Sequence, residues 1–281
     1  MSSPLLTGTV ASEDGRPSWY RATPPSVLVA EVVASRWHGV AGWDRTLRVL
    51  PDGCADLIWD GDQLIVVGAH PGPLRFPVVG DAHNTGLRLR PGTAGVVLGV
   101  PMVDLPLEAV RLDALAGASA RRLEDRLRAA DGDVATQHEL LERHVADRID
   151  TGPRAGAAPT LDRTVVEATR RLRAPTSTVD TVAAGVGLSP RELRRRFLTH
   201  VGYGPKALQR VLRFRRFVLH AGDDGASLAD LAARSGYADQ SHLGRECLRL
   251  SGSSPRQLVE QRRQPRPGRN VPDRSRPPRP G

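Results

Sequence analysis

Two stretches of this 281-residue chain repeat one pattern, and that repeat limits the fold of its C-terminal half more than any other feature. The first runs from Val182 to Pro205 and the second from Leu231 to Pro255. Ala183, Gly187, Leu193, Arg195, Gly202 and Pro205 of the first copy match Ala232, Gly236, Leu243, Arg245, Gly252 and Pro255 of the second. The offset is 49 residues at the first glycine pair and 50 afterwards, so the second copy carries one extra residue in its turn. Each copy has the grammar of a helix-turn-helix. An Ala-rich helix lets a second helix pack closely, and a glycine supplies the turn where the backbone needs positive φ. A capping residue then starts the next helix. Ser189-Pro-Arg-Glu192 reads as a capping box with Pro190 at the first helical position. In the second copy Asp239 is the expected cap, and Ser227-Leu-Ala-Asp230 starts the helix before it.

The second helix of each copy has two faces. Leu193 and Phe197, and likewise Leu243 and Cys247, stand four residues apart and point to a core. The opposite face carries Arg191, Arg194 and Arg195 in the first copy, and Gln240, Ser241, His242 and Arg245 in the second. Such a helix fits the major groove of B-DNA, where Arg can pair with guanine O6 and N7 and Gln with adenine N6 and N7. Between the copies, residues 205–219 form one amphipathic helix with Leu208, Val211, Leu212, Phe214, Phe217 and Val218 on its apolar side. It would fix the spacing of the modules, so that two reading helices enter successive major grooves.

Charge supports a polyanionic partner. Residues 1–153 carry 15 Arg against 20 acidic residues, whereas residues 154–281 carry 25 basic against 11 acidic. Residues 160–260 resemble the DNA-binding domain of AraC/XylS-type transcriptional regulators. Gly187-Leu-Ser-Pro-Arg-Glu-Leu-Arg-Arg-Arg-Phe197, Gly202, Pro205, Gly236-Tyr-Ala-Asp-Gln-Ser-His-Leu-Gly-Arg245 and Gly252-Ser-Ser-Pro255 carry the resemblance. It implies that Arg191, Arg194, Arg195, Gln240, Ser241, His242 and Arg245 face the bases. Leu243 and Cys247 stand where that family usually has Phe, so a smaller second core is expected. Gly244 costs the second reading helix about 1 kcal/mol against Ala.

The front half reads as β-rich. Leu47–Leu50, Asp56–Trp59, Gln63–Val67 and Leu87–Arg90 are strand-like, with turn signals at Pro51-Asp-Gly, Asp60-Gly-Asp and Pro91-Gly, and the middle two form an expected hairpin. Helical periodicity begins near Thr93 and marks Ser119–Ala130 and Val134–Ile149. The run Arg48-Val-Leu-Pro-Asp-Gly53, Asp56-Leu-Ile-Trp59, Gly68 and Gly86-Leu-Arg-Leu-Arg-Pro-Gly92 resembles an uncharacterised domain often fused to AraC-type modules. That resemblance implies a cupin-like sensor with a helical extension. The expected fold class is α+β, a β-rich N-terminal domain followed by an all-α domain of two helix-turn-helix modules. The expected order is a disordered lead at 1–18, the sensor-like domain at 19–117, its helical extension at 118–150 and a linker at 151–159. The DNA-binding domain follows at 160–260, and an Arg/Pro-rich disordered tail at 261–281.

Two cysteines exclude a disulfide scaffold or a four-cysteine zinc site. His38, His70 and His83 lack metal-binding spacing, and Cys54 has no base or cation at a telling distance in sequence, so neither metal nor cofactor is expected. Trp37, Trp43 and Trp59 either line an effector pocket or fill the core. The absence of an apolar run of 18 residues and of a signal peptide implies a cytoplasmic protein with no membrane partner. The reading is a sequence-specific transcription regulator and not an enzyme. Its partners would be double-stranded DNA, RNA polymerase if it activates, and a small-molecule effector, and the chain would act as a monomer or homodimer. The alternative is an enzyme tethered to nucleic acid by its basic half.

Overall fold

The computed structural model describes residues 10–11, 17–150, 159–223 and 225–263. The strands among the described residues are β1 (Val10–Ala11), β2 (Pro17–Thr23), β3 (Val33–Val40), β4 (Arg45–Val49), β5 (Ala55–Trp59), β6 (Leu64–Val67), β7 (Leu74–Val78), β8 (His83–Leu89) and, after the first helix, β9 (Val110–Arg111). Seven form one sheet in the order β1-β2-β3-β8-β5-β6-β9, and β4 and β7 form a separate ribbon. All pairings are antiparallel. The expected hairpin is β5–β6, with Ile58 opposite Ile65. Strand pairing already begins at Val10–Ala11 and Pro17–Ser18, inside the stretch expected to be a disordered lead, because β2 pairs with both β1 and β3. The rest of that lead, residues 151–158 of the linker and residues 264–281 of the tail lie outside the described residues.

Alternation along the strands gives the sheet two faces. Leu57, Trp59, Leu64, Val66, Leu87 and Leu89 lie on one face and are buried. Helices α1 (Ala94–Leu98), α2 (Leu112–Ala116), α3 (Ala118–Ala129) and α4 (Val134–Asp150) cover this face. Leu123, Leu127, Leu140, Leu141 and Val145 complete the core, so the apolar side of α4 is used within the chain. The opposite face carries a buried ion set. Arg88 pairs with Asp56 through Nε and Nη2, at 3.1 and 3.0 Å, and with Asp52 through Nη1 at 3.2 Å. Trp37 Nε1 donates to Asp56 at 3.1 Å. The Trp37 ring lies so close over Gly86 that a Cβ there would stand 2.6 Å from two ring atoms.

The helical domain contains α5 (Arg163–Arg171), α6 (Val179–Gly185), α7 (Pro190–Val201), α8 (Pro205–His220), α9 (Leu228–Ser235), α10 (Gln240–Ser251) and α11 (Pro255–Arg263). Helix α11 runs past position 260 into the stretch expected to be tail, and Leu258 is buried in the core beneath it. Helix α8 feeds two cores. Leu208 and Leu212 pack with Val182, Leu193 and Phe197, while Val211, Phe214, Phe217 and Val218 pack with Leu231, Leu243 and Cys247. The linker helix is therefore a shared wall of both modules.

The two halves touch at several points. Thr169 and Val165 of α5 lie against Pro91 and Gly92. A 3₁₀ turn at Met102–Asp104 meets the end of α7, where a Cβ on Gly202 would stand 3.0 Å from the Met102 carbonyl oxygen. Leu50, just after β4, packs on the core of the second module. Among the described residues, no helix is long and apolar enough to cross a membrane.

Candidate nucleic-acid interface

Both reading helices start as their sequences dictate. Gly187 and Gly236 turn the chain with φ of 71° and 84°. Leu188 alone separates Gly187 from the cap Ser189, whereas Tyr237 and Ala238 separate Gly236 from the cap Asp239, which is the inserted residue. Ser189 Oγ accepts from Glu192 N at 3.1 Å, and Asp239 Oδ1 accepts from His242 N at 2.7 Å. Both helices end on a left-handed glycine, Gly202 and Gly252. The buried sides hold Leu193, Phe197, Leu243 and Cys247, all fully enclosed.

The opposite faces are open. Arg191, Arg194 and Arg195 are exposed on α7, and Gln240, Ser241 and Arg245 on α10. His242 is only half-exposed, because its ring meets the buried Tyr237 ring edge-on at 5.2 Å. Tyr237 stands where the first copy has Leu188, so this edge-on contact has no counterpart there.

One expectation fails locally. The capping box at Ser189 is only half made, because the Glu192 carboxylate does not return to the Ser189 N–H. It accepts instead from Arg195 Nε and Nη2, at 2.9 and 2.7 Å, and from Arg196 Nε at 2.8 Å. Three charge-assisted bonds outcompete one backbone donor. These hydrogen bonds hold the Glu192 carboxyl at about 2, far below the usual carboxylate range. Complete boxes do form at Thr178–Thr181 and Ser227–Asp230, where no arginine competes. Arg196 Nη1 also reaches Asp162 Oδ2 at 3.2 Å, and Asp162 Oδ1 caps α5. The spacing offers Glu192 both the cap and the arginines three and four residues on, and does not decide between them.

A second feature escaped the sequence. Arg48, on the β4–β7 ribbon, donates through Nη1 to the Ser251 carbonyl oxygen at 3.0 Å and to Ser253 Oγ at 2.6 Å. Ser251 is the last residue of α10, so the N-terminal domain holds the end of the second reading helix directly. The partners are 203 residues apart, and no local pattern announces such a contact.

The residues considered for enzyme or metal chemistry do not converge. Trp59 lies in the main core, Trp37 on the opposite sheet face, and Trp43 beneath the Arg45 guanidinium at 4.5 Å. Burial and then the Asp52 carboxylate push the Cys54 thiol up to about 12, so it stays protonated near neutral pH. Among the described residues, no group of three His, Cys, Asp or Glu is placed to hold a metal.

Residues 182–261 match the helix-turn-helix domain family. Residues 21–110 match a domain of unknown function, DUF6597. No curated protein matches the sequence significantly. Solved structures similar to this chain include the C-terminal domain of AraT, a response regulator from Geobacillus stearothermophilus. It is 18% identical, covers 41% of this chain and 93% of its own, and has a TM-score of 0.33. ToxT from Vibrio cholerae O395 is 10% identical over 86% of this chain and 97% of its own, with a TM-score of 0.39. The AraC-like activator CuxR is 17% identical over 82% and 89%, with a TM-score of 0.26.

Proposed function

We propose that the chain is a DNA-binding transcriptional regulator that reads two successive major grooves, with Arg191, Arg194 and Arg195 of α7 in one and Gln240, Ser241, His242 and Arg245 of α10 in the next. The observation that carries this reading is the division of each helix into a fully buried apolar side and an open polar side. Both helices hang on the shared helix α8, which fixes their spacing. Arg256 lines an open groove beside Gln240 and is suited to a flanking phosphate.

The N-terminal domain modulates this reader on the same proposal, because Arg48 and Leu50 grip the second module and Met102 abuts the first. A small-molecule effector would act through these contacts, and RNA polymerase would be a further partner if the protein activates. The proposed role involves no catalysis. The ionised groups gathered on the sheet, Asp52, Asp56 and Arg88, are spent on one another.

Selection of bound DNA with the full-length protein tests the reading. The expected result is a defined site of two segments about 34 Å apart, or closer on bent DNA. Arg195→Ala should cost about 1–3 kcal/mol of discrimination at one base pair. Binding without sequence preference would overturn the proposal, and an equal loss on all sequences would reduce Arg195 to a phosphate contact.

A further inference from the structure

We propose that Glu192 is a specificity-determining positioning residue, holding Arg195 by one edge of its guanidinium so that the other edge meets a guanine. The proposal rests on the reading of Arg195 as a base contact. Arg195 gives Nε and Nη2 to the two carboxylate oxygens, one to each. A guanidinium has five N–H donors in a rigid plane. Two are taken by Glu192. Of the remaining three, one on Nη1 and the second on Nη2 point outward together as a parallel pair. Guanine presents O6 and N7 as a matching pair of acceptors in the major groove.

Glu192 is itself anchored. Its Oε1 also accepts from Arg196 Nε, and Arg196 is tied to Asp162 at the start of α5. The chain of contacts fixes the carboxylate against two helices, so Arg195 is oriented before DNA arrives. An exposed ion pair adds little to stability. Its value here is preorganisation, because a long flexible side chain ordered in advance loses less freedom on binding. The carboxylate also repels phosphates, which lowers affinity for DNA of any sequence. One residue thus trades general affinity for discrimination. The second module lacks the device. His242 stands at the position matching Glu192, and its ring is packed on Tyr237, leaving the matched Arg245 without this buttress.

The test compares wild type, Glu192→Gln and Arg195→Ala as full-length proteins, by selection of bound DNA and by competition against random duplex. Arg195→Ala should flatten the preference at one base pair about tenfold or more. Glu192→Gln should flatten the same position about three- to tenfold and tighten binding to random DNA. An unchanged preference at that position in Glu192→Gln overturns the proposal. So does a changed preference at a different base pair, which would make Glu192 a direct reader of cytosine. Equal losses on specific and random DNA would show a merely structural role. If Arg195→Ala alters no position, the base-reading assignment fails and the buttress with it.

Discussion

The two helix-turn-helix modules share a backbone grammar but draw their support from different sources. The first has a large buried aromatic, Phe197, and an internal ion-pair chain from Arg195 through Glu192 and Arg196 to Asp162. The second has Cys247 where the first has Phe197, a glycine in mid-helix, and no matching chain. The smaller second core expected from Leu243 and Cys247 is not found, because Phe214, Phe217 and Tyr237 fill it. Phe214 and Phe217 come from the shared helix, Leu50 from the N-terminal domain, and Arg48 caps the last carbonyl of its reading helix. A sequence repeat therefore does not imply the same supports. Both modules meet the N-terminal domain, the first where α7 packs on α1 and the Met102–Asp104 turn and the second through Arg48 and Leu50.

Four measurements would break or sharpen this contrast. The largest effect belongs to the cores. Phe197→Ala should destabilise the chain by about 3–5 kcal/mol, and Cys247→Ala by roughly 1–2 kcal/mol, read from urea unfolding. Similar losses would mean that the second core is as tightly built as the first. Next comes the external support. Arg48→Ala removes donors to Ser251 and Ser253 and should cost about 1–2 kcal/mol, felt as weaker discrimination at the half-site of α10. Equal weakening at both half-sites would contradict a contact specific to the second module. Gly244→Ala meets no atom within 4 Å and should stabilise α10 by up to about 1 kcal/mol. A simultaneous fall in DNA affinity would show that the missing side chain is needed for close approach to the duplex.

The smallest effect concerns pH and the N-terminal domain. His38, His138 and His144 are all held below the ordinary value, chiefly by burial, and His144 falls to about 4. The unfolded chain takes up protons at these rings below about pH 6.5, while the folded domain resists. Their contribution to stability is thus full above that value and is lost as pH falls toward 4. The melting temperature should drop by a few degrees between pH 7 and pH 5, with amide-exchange protection weakening first in the N-terminal domain. Burial also holds His200 of the helical domain down, so loss confined to that domain would reverse the assignment.

The sequence spoke clearly where structure is local. Caps at Ser189, Ser227 and Asp239, the turns at Gly187 and Gly236, and the apolar pairs of α7 and α10 follow from residues within a few positions of one another. The β5–β6 hairpin was legible for the same reason. Strand β3 was not, because Ala34, Ser35, Arg36 and Gly39 are poor strand formers and only the sheet around them sets their alternation. The pairing of β4 with β7 was also hidden, since a register over that separation is fixed by tertiary packing. At the interface, the open positions of α7 and α10 could be read from periodicity. The engagement of Glu192 and of His242 could not, because each depends on a competition between partners that spacing alone does not decide.

The bond from Arg48 to Ser251 also sets an order of events during synthesis. Its partners are separated by 203 residues. At ribosomal rates of roughly 5–20 residues per second, Arg48 is made about 10–40 s before Ser251. Domains of this size generally fold as units, N-terminal first. The second reading helix thus emerges onto a surface that is already built, and the ribbon is in place to receive its last turn.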